Sequence, residues 1–335
     1  MTILVTGGAG FIGSNFILYM MKKYPDYKIV NLDALTYCGN LRNLESVQDN
    51  PNYKFVKGDV TDRDLVFDLV KAVDLIVHFA AESHVDRSIM DARPFVMTNV
   101  LGTLNLLDAA LKHSKRMHHV STDEVFGALG PDDPAFNEET CYAPRNPYSA
   151  CKAGSDHLVR SYNLTHGLPI TISNCSNNYG AYQFPEKVIP LFISNLKEDK
   201  KVPVYGQGLQ IRDWIHVEDH CKGIDAIIHK GKIGETYCLG GKNSEIPNIE
   251  LTKKIIAAMG KSEDMIEFVK DRAGHDARYS IDYSKAKEEL GWEPEIDLET
   301  GMKMTVDWYL ANQDWVDEIR SGDYEKYYEA QYLKR

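Results

Sequence analysis

The feature that most constrains this chain stands at its start. An apolar, β-branched run, Thr2-Ile-Leu-Val-Thr6, leads into Gly7-Gly-Ala-Gly-Phe-Ile-Gly13, after which an apolar helical pattern begins. Glycines at 7, 10 and 13 permit a tight turn, a close approach of backbone to a pyrophosphate, and close packing of helix on strand. The first N–H groups of the helix, with Phe11 and Ile12 between the last two glycines, attract an anion. A glycine turn is also a common structural device, but its place between a strand and a helix points to a dinucleotide. Asp33 ends the second apolar run, where a carboxylate meets the adenine ribose and repels a 2′-phosphate, so NAD is expected rather than NADP. An aspartate at a strand end is equally an ordinary turn residue.

Short β-branched runs alternate with longer amphipathic stretches through the first half, the pattern of βαβ units. Strands are expected at 2–6, 28–32, 53–57, 74–79, 117–121 and 169–174, and helices near 11–23, 62–71, 94–113 and 147–166. The fold class is α/β: a Rossmann-type doubly wound parallel sheet with a smaller, discontinuous C-terminal substrate-binding lobe. Beyond about 180 the pattern loosens around Pro185, Pro190, Pro203, Pro247 and Pro294, yet Gly234–Gly241 still reads as a core strand. The expected division is therefore 1–180 plus about 215–243 for the first domain, and about 181–214 plus 244–335 for the second.

With 43% hydrophobic and 26% charged residues in 335, the chain has ordinary globular composition, which excludes a disordered or low-complexity class. Its 38 basic against 49 acidic residues give a net charge of −11, which argues against nucleic-acid or anionic-membrane partners. Six scattered cysteines without a CxxC pair suggest neither a metal site nor a disulfide framework, so reduced thiols and a cytoplasmic location are expected. No leader-like segment or run of 18 apolar residues is visible.

Tyr148-Ser-Ala-Cys-Lys152 sets Tyr and Lys at i and i+4, on one face of a helix. A tyrosine of ordinary pKa ~10 is a poor base at neutral pH, and a neighbouring ammonium together with a nicotinamide cation would stabilise its phenolate. Lys152 also suits the nicotinamide ribose. The same spacing arises on ordinary helix faces; its company argues for chemistry. His119-Val-Ser-Thr-Asp-Glu124 runs from a strand into a loop at the carboxyl edge where open α/β sheets bind ligands. Asp123 and Glu124 diverge from there, one suited to give a proton and the other to take one if their surroundings separate their pKa values. Two acids at a helix start are also favoured by its dipole.

The GxxGxxG spacing is typical of short-chain dehydrogenase/reductase-like chains. It is joined in order by Ala80-Ala-Glu-Ser-His-Val-Asp-Arg-Ser88, Ser121-Thr-Asp-Glu124, Tyr148-to-Lys152, Asn174-Cys-Ser-Asn-Asn-Tyr-Gly180, Pro185-Glu-Lys187, Arg212-Asp-Trp214 and Asp271-Arg-Ala-Gly-His-Asp276. Together these closely resemble the dTDP-glucose 4,6-dehydratases, extended members of that superfamily, over roughly residues 1–310. Departures are Cys151 for Ser, Ala181 and Ala273 for Pro, and an unusual approach from Asn137 to Arg145.

The resemblance implies a hydro-lyase that oxidises C4 with NAD, eliminates water across C5–C6 and returns hydride to C6. Tyr148, Lys152, Thr122, Asp123 and Glu124 are the implied catalytic residues. Asp59 and Val60 at the third strand, Ala80, Ala81, Thr98 and Asn177 would join the glycines and Asp33 around the cofactor. Ser83, Asp86, Arg87, Glu186, Lys187, Tyr205, Arg212, Asn248, Arg272, His275 and Tyr279, with Thr122 and Asn177, are the implied substrate contacts. Arg212, Arg272, Lys187 and His275 are the candidates for the diphosphate. The family generally forms homodimers through the helices near 94–113 and 147–166. Two other readings remain: a UDP-sugar dehydratase, epimerase or decarboxylase sharing fold, NAD and the Tyr/Lys pair, and a non-enzymatic NAD-sensing regulator. The Asp-Glu pair counts against an epimerase; the presence of both Tyr148 and Lys152 counts against a regulator.

Overall fold

The computed structural model describes residues 1–242, 244–271 and 275–320. The chain forms strands β1 (Thr2–Thr6), β2 (Lys28–Asp33), β3 (Tyr53–Lys57), β4 (Leu75–His78), β5 (Arg116–Thr122) and β6 (Ile170–Cys175). Helices α1 (Phe11–Lys23), α2 (Arg63–Lys71), α3 (Val85–Met90), α4 (Arg93–Phe95), α5 (Thr103–His113) and α6 (Pro147–His166) connect them. Then follow β7 (Asn177–Tyr179), α7 (Val188–Lys197), β8 (Val202–Tyr205), β9 (Ile211–Arg212), β10 (Trp214–His216), α8 (Val217–Lys230) and β11 (Thr236–Leu239). The second lobe ends with β12 (Ile246–Pro247), α9 (Asn248–Ala258), β13 (Ile266–Val269), α10 (Ser284–Leu290), α11 (Leu298–Ala311) and α12 (Gln313–Ile319).

The main sheet has the order β3-β2-β1-β4-β5-β6-β11 with every pairing parallel, the doubly wound architecture that the alternating pattern predicts. Its inner strands are buried on both faces, and the polar side chains they carry, such as His118 and His119 of β5, are buried with them, whereas β3 at the edge exposes Lys54 and Lys57. In β1, Ile3 and Val5 enter a core with Phe16, Ile17, Ile224 and Tyr237, while Leu4 enters the opposite one with Leu106, Val159 and Ile172. The strand order reverses between β1 and β4, where such sheets open a crevice at their carboxyl ends. The strand expected within 234–241 is β11, which returns from the second lobe to the free edge of β6.

The second lobe has a core of its own, with Ile189, Phe192, Val204, Leu251, Ile255, Val306, Tyr309 and Trp315. The prolines there do not break it up as the sequence pattern suggests. Pro190 is the third residue of α7, in the first turn where backbone N–H groups have no intrahelical partner anyway. Pro203 lies in a strand with only one neighbour. Helix α10 follows residue 244, yet its Ala286 and Leu290, with Trp292, pack into the same core as Phe16, Ile17 and Ile224.

Between α4 and α5 the helix widens into a π turn, Val96–Gly102. The combined stretch Arg93–His113 is long and apolar enough by composition to cross a membrane, but half of it is buried in the fold, with Phe95, Leu106, Leu107, Ala109 and Ala110 facing inward.

Candidate active site

A cleft of about 480 Å³ runs from the β1–α1 turn to the second lobe. At its floor Gly7 adopts φ +71°, and a Cβ on Gly13 would stand 2.3 Å from the Gly7 carbonyl oxygen, so the turn tolerates no side chain there. Gly10 caps α1 without a side-chain hydrogen bond and no acid occupies the first turn, leaving the helix N-terminus open to an anion. This cradle fits a dinucleotide pyrophosphate. Asp33, at the end of β2, is 8% exposed; its Oδ2 accepts from Ala9 N at 2.8 Å and its Oδ1 from Leu35 N at 2.8 Å. Burial raises its pKa against these two bonds. Asp59, Val60, Ala80, Ala81, Thr98 and Asn177 line the same cleft. The π turn supplies Thr98 and also Asn99, whose amide accepts from Glu82 N (2.8 Å) and donates to Glu82 O (3.0 Å), pinning the 80–84 loop.

Thr122 ends β5 at the middle of the cleft, donating to Asp123 Oδ1 (3.2 Å) and accepting from Glu124 N (3.3 Å). Asp123 is 1% exposed. Burial first, then the Glu124 and Asp213 carboxylates, push its pKa well above the ordinary value; Arg212 and the Thr122 hydroxyl oppose this more weakly. Glu124 is half-buried and accepts from Asn146 Nδ2 at 3.4 Å. Asn146 starts α6 with a reciprocal cap: its Oδ1 accepts from Ser149 N (2.9 Å) and its N–H donates to Ser149 Oγ (3.2 Å), with Pro147 next. Tyr148 therefore sits in the first turn, at the positive end of the helix dipole, and its ring packs edge-on against Phe95.

The phenol itself departs from the expectation of a lowered pKa. Burial, followed by Glu124, Cys175 and Asp123, drives it well above 10, with only the Thr122 hydrogen bond pulling it down. Lys152 turns inward, donating to Val120 O at 2.9 Å, with Nζ 3.4 Å from His119 Nε2. Behind it lies a group absent from the sequence reading, Asp156. Its Oδ1 is 3.1 Å from His119 Nε2, and its Oδ2 accepts from Ser121 Oγ and Tyr142 OH, both at 2.8 Å, and from Asn174 at 3.4 Å. Asp156 lies one further helical turn along from Lys152, so continuing the i, i+4 pattern to residue 156 was the available signal. His118 and His119 are fully buried packing and hydrogen-bonding residues, as expected. Among the described residues no three His, Cys, Asp or Glu side chains are grouped to hold a metal.

At the far end Glu186 is 4% exposed, with Arg87 at 3.3 Å and His84 at 3.8 Å; its carboxyl is raised by burial. Lys187 donates to Ser83 O at 3.4 Å. Arg212 stacks over Tyr279 at 4.2 Å and donates to the Ile211 and Asp276 carbonyls (2.7 and 2.9 Å). His275 meets Asp271 at 2.7 Å and the Tyr205 ring edge-on. Ser83, Asp86, Glu186, Lys187, Tyr205, Arg212, Asn248, His275 and Tyr279 all line this one cleft; Arg87 stands behind Glu186, while Arg272 and Ala273 lie outside the described residues.

Residues 4–305 match the family model described as GDP-mannose 4,6 dehydratase. The chain is 51% identical to the dTDP-glucose 4,6-dehydratase of Xanthomonas campestris pv. campestris, covering 96% of this chain and 97% of that one. It is 54% identical to the low-salt glycan biosynthesis protein Agl12 of Haloferax volcanii, over 94% and 100%. The crystal structure of the Bacillus anthracis dTDP-glucose 4,6-dehydratase in complex with NAD superposes with a TM-score of 0.90 at 49% identity, covering 95% of this chain and 99% of that one.

Proposed function

The chain belongs to the dTDP-glucose 4,6-dehydratase family of extended short-chain dehydrogenases/reductases, and on that premise we propose which side chains carry each part of the reaction. The enzyme is an NAD-dependent hydro-lyase that converts dTDP-glucose to dTDP-4-keto-6-deoxyglucose and water, in deoxysugar nucleotide biosynthesis. NAD supplies a reversible hydride acceptor that takes hydride from C4 and gives it back at C6.

A hexose C5–H is not acidic until C4 is a ketone, so oxidation must come first. Tyr148 takes the O4 proton, with Thr122 hydrogen-bonded beside it. Lys152 holds the nicotinamide ribose and its positive charge; that charge and the nicotinamide cation must together offset the burial and carboxylates that raise the phenol. Glu124 then removes the acidified C5 proton while Asp123 protonates the departing C6 hydroxyl, leaving a C5=C6 bond conjugated to the ketone. Glu124 returns its proton to C5 as hydride arrives at C6. Over the whole cycle the substrate loses the O4 proton and a hydroxide. The proton held by Tyr148 therefore replaces the one given by Asp123, and Thr122, 3.2 Å from Asp123, stands between them.

The observation that carries this assignment is the unequal burial of two acids that line the same cleft: Asp123 almost fully buried, with its proton favoured, and Glu124 half-buried beside it. Incubation with dTDP-glucose or UDP-glucose, followed by detection of the 4-keto product, tests the reading. Product from dTDP-glucose is expected; product from UDP-glucose alone reassigns the base, and product from neither overturns it.

Arg212, Lys187 and His275 are proposed to bind the diphosphate, which needs a local basic pocket on an acidic protein. We propose further a cytoplasmic homodimer built on the outer faces of the 93–113 segment and α6, where Val96, Met97 and Leu164 are exposed, with Ile89 and Met90 exposed on the adjoining α3. The cofactor domain is assigned 1–180 plus about 215–243, with α10 packed onto it, and the remainder to the substrate domain.

A further inference from the structure

We infer that Asn43 and Trp315 form a latch between the lobes that positions the glycine turn and slows release of the cofactor. This rests on the NAD reading of that turn. From Gly7 to Gly10 the turn carries a single methyl group, that of Ala9, so its position depends on what grips its backbone. At its centre Ala9 is held on both sides: its N–H donates to Asp33 Oδ2 at 2.8 Å, and its carbonyl accepts from Asn40 N at 3.0 Å and from Asn43 Nδ2 at 2.9 Å.

Asn43 comes from the 3₁₀ turn Leu41–Val47 and is 2% exposed. The other end of its amide is also used, since Oδ1 accepts from the indole Nε1 of Trp315 at 2.8 Å, a buried bond across 272 residues of chain. An amide that must donate to a carbonyl and accept from an indole has one orientation that satisfies both. Trp315 is 4% exposed on α12 and belongs to the second lobe's core, with the rings of Trp308, Tyr309 and Tyr182 against it. At the rim Arg42 pairs with Asp314 (2.6 Å) and Glu318 (2.5 Å), exposed contacts of small weight. The floor of the cofactor cradle is thus fastened to the core of the second lobe, which lines the other end of the cleft. A cofactor regenerated in each turnover is best served by such an anchor, because a turn held in place keeps its N–H groups aimed at the bound dinucleotide.

The test measures the NAD content of the purified protein and the rate at which bound NADH is displaced by excess NAD, for Asn43→Ala, Trp315→Phe and the double variant. Melting temperatures are taken with NAD saturating. Each single variant is expected to release NADH roughly three- to tenfold faster, the scale of one buried hydrogen bond and its orphaned partner. The double variant should be no faster than Asn43→Ala, since both remove the same link. Arg42→Gln should change release by less than about twofold. If the variants melt earlier yet release NADH at the wild-type rate, or if the two effects simply add, the latch is wrong. A wild-type protein that binds no dinucleotide overturns the cofactor reading together with the latch, whereas unchanged release from the variants, in a protein whose wild type carries NAD, overturns the latch alone.

Discussion

Asp123 and Glu124 are neighbours in the chain with unlike surroundings, and the difference is what lets one donate and the other accept. Glu124→Gln should still oxidise C4 but fail to exchange the C5 hydrogen with deuterated solvent; Asp123→Asn should keep that exchange and lose water elimination by ~10²–10⁴-fold, the usual contribution of a general acid. Exchange followed by NMR beside keto-product formation checks both, and wild-type exchange in Glu124→Gln sinks the assignment. Asp156 extends the argument one helical turn into the core. Burial lowers the Lys152 pKa and Asp156 is the largest influence raising it, so Asp156→Asn should let the ammonium deprotonate earlier. The alkaline limb of kcat should move down by ~1 pH unit, the size of shift a buried ionic neighbour produces. Ser121→Ala, which removes one uncharged donor from Asp156 and leaves its charge, should leave the limb in place; a profile unmoved in Asp156→Asn reduces Asp156 to packing. The residues proposed for catalysis and the glycines stand out in the sequence as candidates because they fall in dense local motifs. Asp156, Asn43 and Asn99 were not, since each acts through partners that only the fold brings near.

Strands and helices of the first lobe follow the sequence pattern closely because the inner strands are short β-branched runs buried on both faces and the helices between them bury one face each. The π turn had no such signal, as its apolar spacing continues that of the helices around it. Where a backbone has no room, the outcome is sharper. Gly13→Ala would place a methyl group 2.3 Å from the Gly7 carbonyl and 2.8 Å from Gly8 Cα, both backbone. The turn must open, and NAD affinity should fall by at least ~10-fold, the equivalent of about 1.4 kcal/mol, with circular dichroism little changed; titration with NAD decides it, and wild-type affinity would exclude this turn as the pyrophosphate site. The second lobe was the harder reading because its elements are short and Pro190 and Pro203 sit inside them, at positions where a missing N–H costs nothing.

Taken whole, the molecule keeps several histidines uncharged inside the sheet and beside it. Burial lowers His78 and His118 and holds His119 at about 4 and His220 at about 3. An unfolded histidine binds its proton near ~6.5, so between that pH and about 4 the unfolded state binds protons the folded state refuses. Stability should therefore fall as pH drops through this window, His119 alone contributing about 3 kcal/mol at full effect. Urea midpoints measured from pH 7 to 4 check this, and a flat midpoint would mean that these histidines charge in place. The size-exclusion elution of the native protein tests the dimer, for which a monomer at micromolar concentration is the adverse result. The late return of β11 to the sheet bears on synthesis. Some sixty residues separate the end of β6 from the start of β11. At ~5–20 residues per second the ribosome takes several seconds to deliver that stretch, during which the hydrogen-bonding edge of β6 has no neighbour. A newborn chain is thus most prone to wrong pairing in that interval, and chaperone dependence should concentrate there rather than at the chain's end.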